Sequence, residues 1–570
     1  MHVSRLCCLS LALWCGCIAS VAHAAVLPTD LDAKIGAQYQ PSDEDERAIW
    51  RNLARLEQGI LTSKQRLRAP ELDDFIRDVI ERLIGRPAPE LRIYVMHDAS
   101  PNAAMLPNGM MLVNTGLLAR VRDESQLAAV LAHEAGHYFR QHSIDLYRGD
   151  RRKSVQVSSG ASALHSFDDR QGAWMLTNLA IMMSSSRFSR DLESEADAYG
   201  LKLMARGGYR PHAALAIWDQ LLEERRASAA ARQKRFRDVT DSTLSTHPPT
   251  RIRMVNLADT AEHLAREHAL EGEPVGDDWA EIIRPYQAML LGEQIYLNDP
   301  GASLYLLDAW AKAGWTGALR FLEGEVYRLR NAPGDAARSA AAYALATTLS
   351  DAPAEAWRGH GYALLAAGRE MEAREAFNRF LAMNPLAPDA AMVRFTLSRS
   401  GIVDEPTAAG RRLTVEVSSW KRLHGSVNEA RWKKVWTWNG AQLDRLSLLD
   451  GLPEGKTIVI QKPTDDQQVP VFHGHMTAQD LSSMLEVAYR RNGVTVFDIE
   501  SVDPVSFLDG PGVRLRYRYA SGIVIPKRGN CVMRVVGRKL YALKLEGVAN
   551  PSFDAVAAEF DRLVAGAKLQ

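Results

Sequence analysis

Apolar residues recur at helical spacing over most of the first half of the chain. Between about residues 30 and 265 this pattern predicts helices, interrupted by two runs typical of short strands, Leu91–Met96 and Met110–Val113. The intervening segment, Pro101–Gly109, carries turn residues at both ends and is predicted to be a loop. Two short strands within helical sequence predict a small sheet packed on one side of a helical body.

Alanine-rich sequence follows from about residue 270 to 405, and its pattern predicts helices joined by short turns. One window has the residue spacing of a tetratricopeptide repeat, through Trp357, Gly361, Ala373, Phe377 and Pro385. Two weaker helix pairs are predicted before it. Stacked helix pairs of this kind form a concave docking surface. The alternative to repeats is a plain helical bundle.

After residue 401 the pattern changes to short segments in which apolar and polar residues alternate. Alternation predicts an antiparallel sheet with one buried face. The predicted strands are Leu413–Val417, Thr457–Gln461, Val494–Asp498, Val513–Tyr519, Val532–Val536 and Leu540–Lys544. Helices are predicted at Ala478–Arg491 and Ser552–Ala565. We therefore expect a separate α+β domain over residues 411–570, and nothing in its sequence indicates a chemical role.

The first 24 residues have a pattern of their own. Arg5 precedes the apolar run Leu6–Ala22, and Ala22-His23-Ala24 has the form of a cleavage site, so a secretory signal peptide is predicted. A signal peptide places the mature protein in the periplasm. An uncleaved anchor or a lipoprotein acylated at Cys17 is the alternative, although the residues before Cys17 fit acylation poorly.

Composition narrows the classes of partner and site. Lysine plus arginine equals aspartate plus glutamate at 69 each, which gives no argument for nucleic acid or an anionic membrane as partner. Of the 5 cysteines, only Cys531 lies beyond the predicted signal peptide. The mature chain can therefore form no disulfide within itself, and no cysteine adjoins the histidines discussed next.

The strongest candidate for chemistry is a His-Glu-x-x-His motif, in which His133 and His137 flank Glu134. Asp123 with Gln126 three residues on predicts a helix N-cap, so a helix is expected independently of the motif. Residues four apart share one face of a helix, and two imidazoles at this spacing suit tetrahedral zinc. Glu134 would then take a proton from the attacking water.

The motif alone is moderate evidence for a metal site, because it occurs by chance in roughly one such chain in fifty. A catalytic zinc site also requires a third ligand. Residues 189–197 are predicted to open a second helix that ends at Gly207-Gly208. Glu193 and Asp197 share one face of it. Glu193 can complete a three-ligand site with an open position, and Asp197 can accept the spare ring N–H of a ligand histidine. The alternative is a solvated helix face.

These two helices resemble those of the gluzincin peptidase family that includes HtpX, the CAAX prenyl protease and Oma-type proteases. His-Glu-Ala-Gly-His at residues 133–137 and Glu-Ser-Glu-Ala-Asp at residues 193–197 agree with the family's two signatures residue for residue. The secreted layout with repeats is most similar to the periplasmic, BepA-type members. The resemblance covers about residues 30–405 and implies a zincin-like fold for the first domain.

The whole chain is therefore expected to be multidomain and mainly α. The expected order is a signal peptide (1–24), a zincin-like helical metalloprotease domain with a small sheet (25–265), TPR-like helical repeats (266–405) and the α+β domain (411–570).

The resemblance implies further site features. Asn102–Leu118 resembles the loop and edge strand on which a substrate peptide is laid out, with an ordinary buried strand as the alternative. His247, in a His-Pro segment, could stabilise the oxyanion or cap the zinc in a resting state, or it could be a loop residue. Arg253 would contact a substrate carbonyl or be structural. Ser143–Ser189 could be a lid with an apolar plug, or an insertion at the surface.

The expected function is hydrolysis of peptide bonds in unfolded or mis-assembled envelope proteins, with one zinc ion per chain. His133, His137 and Glu193 would bind the metal, with Glu134 as the base and with His247 and Arg253 assisting. The repeats would dock the outer-membrane assembly machinery; we expect no nucleic acid and at most a peripheral contact with the membrane. A chaperone or assembly adaptor with a latent zinc site is the main alternative, and a hydrolase of peptidoglycan peptides is a weaker one.

Overall fold

The computed structural model describes residues 40–148, 188–236, 251–269, 278–398, 412–423, 432–440, 443–459, 469–520 and 526–570. The predicted signal peptide, His247 and most of Ser143–Ser189 lie outside the described residues. Among the helices that are described, none is both long and apolar enough to cross a lipid bilayer.

The first part of the chain combines helices with a three-stranded sheet. Its elements are α1 (Glu44–Thr62), α2 (Pro70–Ile84), β1 (Arg92–Met96), β2 (Ala103–Met105), β3 (Met110–Asn114), α3 (Thr115–Leu118), α4 (Glu124–Phe139), a helical segment at residues 142–148, α5 (Arg190–Arg206), α6 (Ala213–Ala231) and α7 (Arg251–Glu267). Strand β3 is central, parallel to β1 and antiparallel to β2. One apolar core joins α2, the sheet, α4 and α5, so the small sheet on a helical body is as predicted.

Strand β2 corrects the prediction of a loop over Pro101–Gly109. The chain turns sharply at Gly109, whose φ of 85° is left-handed and whose added Cβ would lie 2.2 Å from the Glu90 carbonyl oxygen. That turn brings Ala103–Met105 alongside β3. A three-residue strand is too short to produce an alternating pattern, which explains why the sequence did not indicate it.

Helices continue through the middle of the chain as expected. They are α8 (Trp279–Ile283), α9 (Gln287–Ile295), α10 (Pro300–Trp310), α11 (Gly317–Arg330), α12 (Asp335–Thr347), α13 (Ala354–Ala366), α14 (Glu370–Met383) and α15 (Ala390–Ser398), with single 3₁₀ turns at Arg284–Tyr286 and Ala311–Ala313. We call α9–α15 the helical array. A Cβ on Gly361 would lie 2.7 Å from the Phe377 ring, so this glycine lets α13 and α14 approach closely. The helix pairs are present, and their assignment as tetratricopeptide repeats stays a prediction.

The last part of the chain is a seven-stranded antiparallel sheet with two helices. Its elements are β4 (Leu413–Thr414), β5 (Lys421–Arg422), β6 (Lys433–Thr437), β7 (Asp444–Pro453), α16 (Ala478–Arg491), β8 (Val496–Phe507), β9 (Gly510–Ala520), β10 (Lys527–Val536), β11 (Lys539–Val548), α17 (Pro551–Gly566) and β12 (Lys568–Leu569). The strand order is β5-β6-β7-β11-β10-β9-β8, and β4 pairs separately with β12.

The expectation of a sheet with one buried face is wrong. Cys531 and Met533 of β10 pack in a core with α16, whereas the neighbouring Val532 and Val536 pack in a second core with α17. Because both faces are covered, β7 lacks the alternating pattern and was missed, as were the short β5 and β6. The described residues of the predicted strand Thr457–Gln461 are not in a strand, and of Leu413–Val417 only the first two residues are.

Candidate metal centre

Helix α4 carries the His-Glu-x-x-His motif on a buried frame. Its N-cap is Asp123, whose Oδ1 accepts a hydrogen bond of 2.8 Å from the Gln126 N–H. The Gln126 side chain in turn accepts from the N–H of Arg122 at 3.0 Å, one residue before the position that a capping box would use. Leu127 and Leu131 are fully buried in the core, and this fixes which face of α4 carries the two histidines.

Helix α5 brings the acidic residues, and two glycines let it cross α4 in close contact. Ser189 caps α5 by accepting from the Leu192 N–H, and the helix ends before Gly207. A Cβ on Gly136 of α4 would lie 2.9 Å from the Ala196 carbonyl oxygen, and one on Gly200 of α5 would lie 3.0 Å from the His133 nitrogen. The backbones of the two helices therefore touch at the level of the motif.

This crossing brings three donor side chains together. His133 Nε2 and His137 Nε2 lie 3.1 Å apart, and each lies 3.6 Å from an oxygen of Glu193. Ligand atoms about 2.0–2.2 Å from a tetrahedral zinc ion lie about 3.3–3.6 Å from one another. No other group of histidine, cysteine and acidic residues in the described ranges converges in this way. The donor set and its spacing therefore fit a divalent metal ion.

Close contacts at the far ring nitrogens support the same conclusion. His133 Nδ1 lies 2.9 Å from Asp197 Oδ1. An ionised carboxylate only accepts, so His133 carries its proton on Nδ1 and directs the lone pair of Nε2 at the cluster. His137 Nδ1 is likewise engaged, 2.9 Å from His142 Nδ1. With a cation bound, both Nε2 atoms, which lie 3.1 Å apart, would direct their lone pairs at it.

Glu134 lies between the motif helix and the sheet. It is buried, and its Oε2 accepts a hydrogen bond of 3.1 Å from the backbone N–H of Met105 in β2. Among the described strands, β2 is an edge of its sheet. The edge expected near Asn102–Leu118 is therefore β2, in the segment predicted to be a loop, whereas the predicted strand Met110–Val113 is central.

An apolar cavity of about 70 Å³ adjoins this carboxylate. Its lining includes His133 and Glu134 at one end and the side chains of Met204, Ile217 and Trp218 from α5 and α6. Asn102 and Ala103, at the start of β2, line it as well. The cavity therefore connects the edge strand, the candidate base and a metal ligand.

Three site neighbours were missed or undervalued in the sequence. The Phe188 ring stacks on His137 with centroids 4.0 Å apart, although no periodic pattern marks this residue. Met105 contacts Glu134 through its backbone N–H, which any residue type could supply, so no sequence motif indicates it. His142 is buried, and desolvation lowers its pKa, which keeps the ring neutral near pH 7.

Two further predicted residues are not placed at the site. His247 lies outside the described residues. Arg253 lies in the first turn of α7, the helix whose Leu257 lines the cavity. The roles expected for both residues stay predictions.

Comparison with known proteins agrees with the site. The sequence profile of peptidase family M48 matches residues 66–261. The chain is 34% identical over 152 residues to the mitochondrial metalloendopeptidase OMA1 of Schizosaccharomyces pombe, covering 26% of this chain and 43% of that protein. It is 26% identical over 254 residues to the beta-barrel assembly-enhancing protease of Escherichia coli, covering 43% and 48%. The chain thus spans less than half the length of these relatives, and through residues 66–261 it carries a domain of peptidase family M48.

Proposed function

We propose that this chain is a zinc-dependent metalloendopeptidase with one zinc ion per chain. The observation that carries the proposal is the convergence of His133, His137 and Glu193 at tetrahedral spacing, beside the buried carboxylate of Glu134. Two nitrogens and one oxygen form a three-ligand set that leaves a position open, which is typical of catalytic rather than structural zinc. When bound, zinc would polarise the scissile carbonyl and lower the pKa of water in the site.

Residues of the chain itself would transfer the proton, position Glu134 and bind the substrate. Glu134 takes a proton from the attacking water and passes it to the leaving amine. The Met105 N–H holds this carboxylate in place, and β2 offers a strand edge along which an extended peptide can pair through its backbone. The adjoining apolar cavity favours substrates that present an apolar side chain next to the cleaved bond.

The clients that we propose are unfolded or mis-assembled envelope proteins in the periplasm. The signal-like pattern of residues 1–24 supports export, and the name of the Escherichia coli relative, a beta-barrel assembly-enhancing protease, supports a role in outer-membrane assembly. The OMA1 relatives are named as mitochondrial proteins, so the family alone does not indicate the compartment. Docking on the outer-membrane assembly machinery belongs to the same proposal.

The test is degradation of casein by the purified mature chain loaded with zinc, compared with Glu134→Gln. The substitution removes the proton acceptor but none of the three ligands. We expect the variant to bind one zinc per chain and to lose at least ~100-fold of the cleavage rate, the lower end of what general-base catalysis contributes.

His247→Ala serves as the second arm, because a capping histidine would hold the wild-type enzyme inactive. If the wild-type chain and His247→Ala both retain one zinc and neither cleaves casein, the peptidase proposal fails. The hypothesis of a chaperone or assembly adaptor would then remain. It predicts that the zinc-loaded chain suppresses aggregation of unfolded protein without cleaving it.

A further inference from the structure

The two histidine ligands are held from behind by different kinds of partner. His133 uses a carboxylate, Asp197, as is common for histidine ligands. His137 instead meets a second imidazole, with its Nδ1 2.9 Å from His142 Nδ1 and the two rings nearly perpendicular at 76°. Only one of these two nitrogens can carry the shared proton.

The direction of that hydrogen bond follows from the metal site. If His142 donated, His137 would carry its proton on Nε2, and Nε2 could not be a ligand. His137 must therefore donate from Nδ1, and His142 must accept and carry its own proton on Nε2. That nitrogen lies 3.5 Å from Glu195 Oε2, and Arg140 contacts the other oxygen of the same carboxylate.

Local backbone geometry holds His142 in this place. Gln141 follows the end of α4 and has φ of 61°, in the left-handed region that residues other than glycine rarely adopt. This conformation ends α4 and starts the helical segment at residues 142–148, so that His142 turns back onto His137. Phe188 closes the other side of the His137 ring by stacking.

We propose that His142 is a positioning residue for the metal site: its Nδ1 accepts a hydrogen bond from the Nδ1–H of His137 and thereby sets the tautomer and ring orientation that make His137 Nε2 a ligand. The inference rests on the proposed zinc site and assigns a function to a buried histidine that is not a ligand.

The test compares His142→Asn with His142→Leu in the full-length mature chain, by measuring zinc affinity in competition with a chelator. Asparagine can place its Oδ1 where His142 Nδ1 lies and so keeps an acceptor, although it fills less space. Leucine fills the space but cannot accept. We expect leucine to weaken zinc binding by about 10–100-fold and asparagine by no more than about 3-fold.

The two variants separate hydrogen bonding from packing. If His142 only fills space, asparagine must weaken zinc binding at least as much as leucine, and that result overturns the inference. Wild-type affinity in both variants overturns it as well. The visible spectrum of the cobalt-loaded protein gives a second readout: it should shift with leucine and stay close to wild type with asparagine. Neither measurement uses proteolysis, so a chain that binds zinc but cleaves nothing would sink the proposed function without deciding this inference.

Discussion

Some side chains at the candidate metal centre would act on a ligand residue without contacting the metal themselves. Asp197 is nine-tenths buried and faces His133 Nδ1, which fixes the ring nitrogen that can bind metal. Removing such a partner leaves the ligand in place but frees its ring to rotate and to change tautomer. The site then still forms, but it binds the metal ion more weakly.

Asp197→Ala should therefore lower zinc affinity by about 10–100-fold with little change in secondary structure. Chelator competition measures the affinity, and circular dichroism checks the helices. Asp191→Ala is the matched control, because Asp191 lies in the first turn of the same helix and is exposed. Equal zinc affinities in the two variants would show that Asp197 does not hold His133.

Between elements, the decisive contact is the crossing of α4 and α5. The motif needs the second helix close enough for Glu193 to reach both histidines, and Gly136 and Gly200 permit that distance. The sequence contained these glycines, but without the crossing they had no evident purpose. Both are helical, where glycine costs about 0.5–1 kcal/mol relative to alanine, so close packing must offset that cost.

Gly136→Ala should push the helices apart, because its Cβ would lie 2.9 Å from the Ala196 carbonyl oxygen. This oxygen belongs to the backbone of α5 and cannot move aside as the end of a flexible side chain could. We expect a loss of about 1–3 kcal/mol in the free energy of unfolding and weaker zinc binding. Gly292→Ala is the control, since nothing lies within 4 Å of its added Cβ in α9. That variant should gain about 0.5–1 kcal/mol. Denaturant unfolding measures both, and a Gly136→Ala protein as stable as wild type would contradict the crossing.

For the whole molecule, α16 joins the sheet to the helical array. One face of α16 packs in the core of the sheet, and on the other face Val487 packs in an apolar cluster with α9, α10 and α11. Arg328 of α11 donates to Asp480 at 2.8 Å and to Ser483 at 3.0 Å. This face of the array is therefore occupied by the chain itself, so the proposed docking of an assembly partner requires another face.

A buried ion pair organises that contact. Burial alone would raise the pKa of Glu325, but Arg328, together with Arg358 and the Tyr343 hydroxyl, outweighs burial and holds the pKa below its ordinary value. Arg328→Met should leave this carboxylate buried without its cation and cost about 3–5 kcal/mol in stability. Arg369→Ala, which breaks the exposed pair with Glu372, should cost no more than about 1 kcal/mol.

Thermal unfolding and limited proteolysis of the two arginine variants test this view of the molecule. Arg328→Met should lower the unfolding midpoint and expose the region around α16 to cleavage, whereas Arg369→Ala should do neither. Similar behaviour of the two variants would mean that the interface does not depend on the buried pair.

The sequence by itself determined the parts that depend on neighbours along the chain. The motif spacing, the Asp123 cap and the two glycines that end α5 predicted both helices of the site and the residues that face each other across it. Helix α16 was predicted with its observed bounds, because periodicity and capping are local properties. The boundaries proposed between domains stay predictions.

Only the tertiary structure decided the features that depend on residues distant in sequence. Strand β2 exists because β3 lies beside it, and β7 lacks an alternating pattern because a helix covers each face of its sheet. His142 became part of the site when the turn at Gln141 aimed its ring at His137. Close packing and shared protons depend on three-dimensional proximity, which a pattern along one chain does not encode.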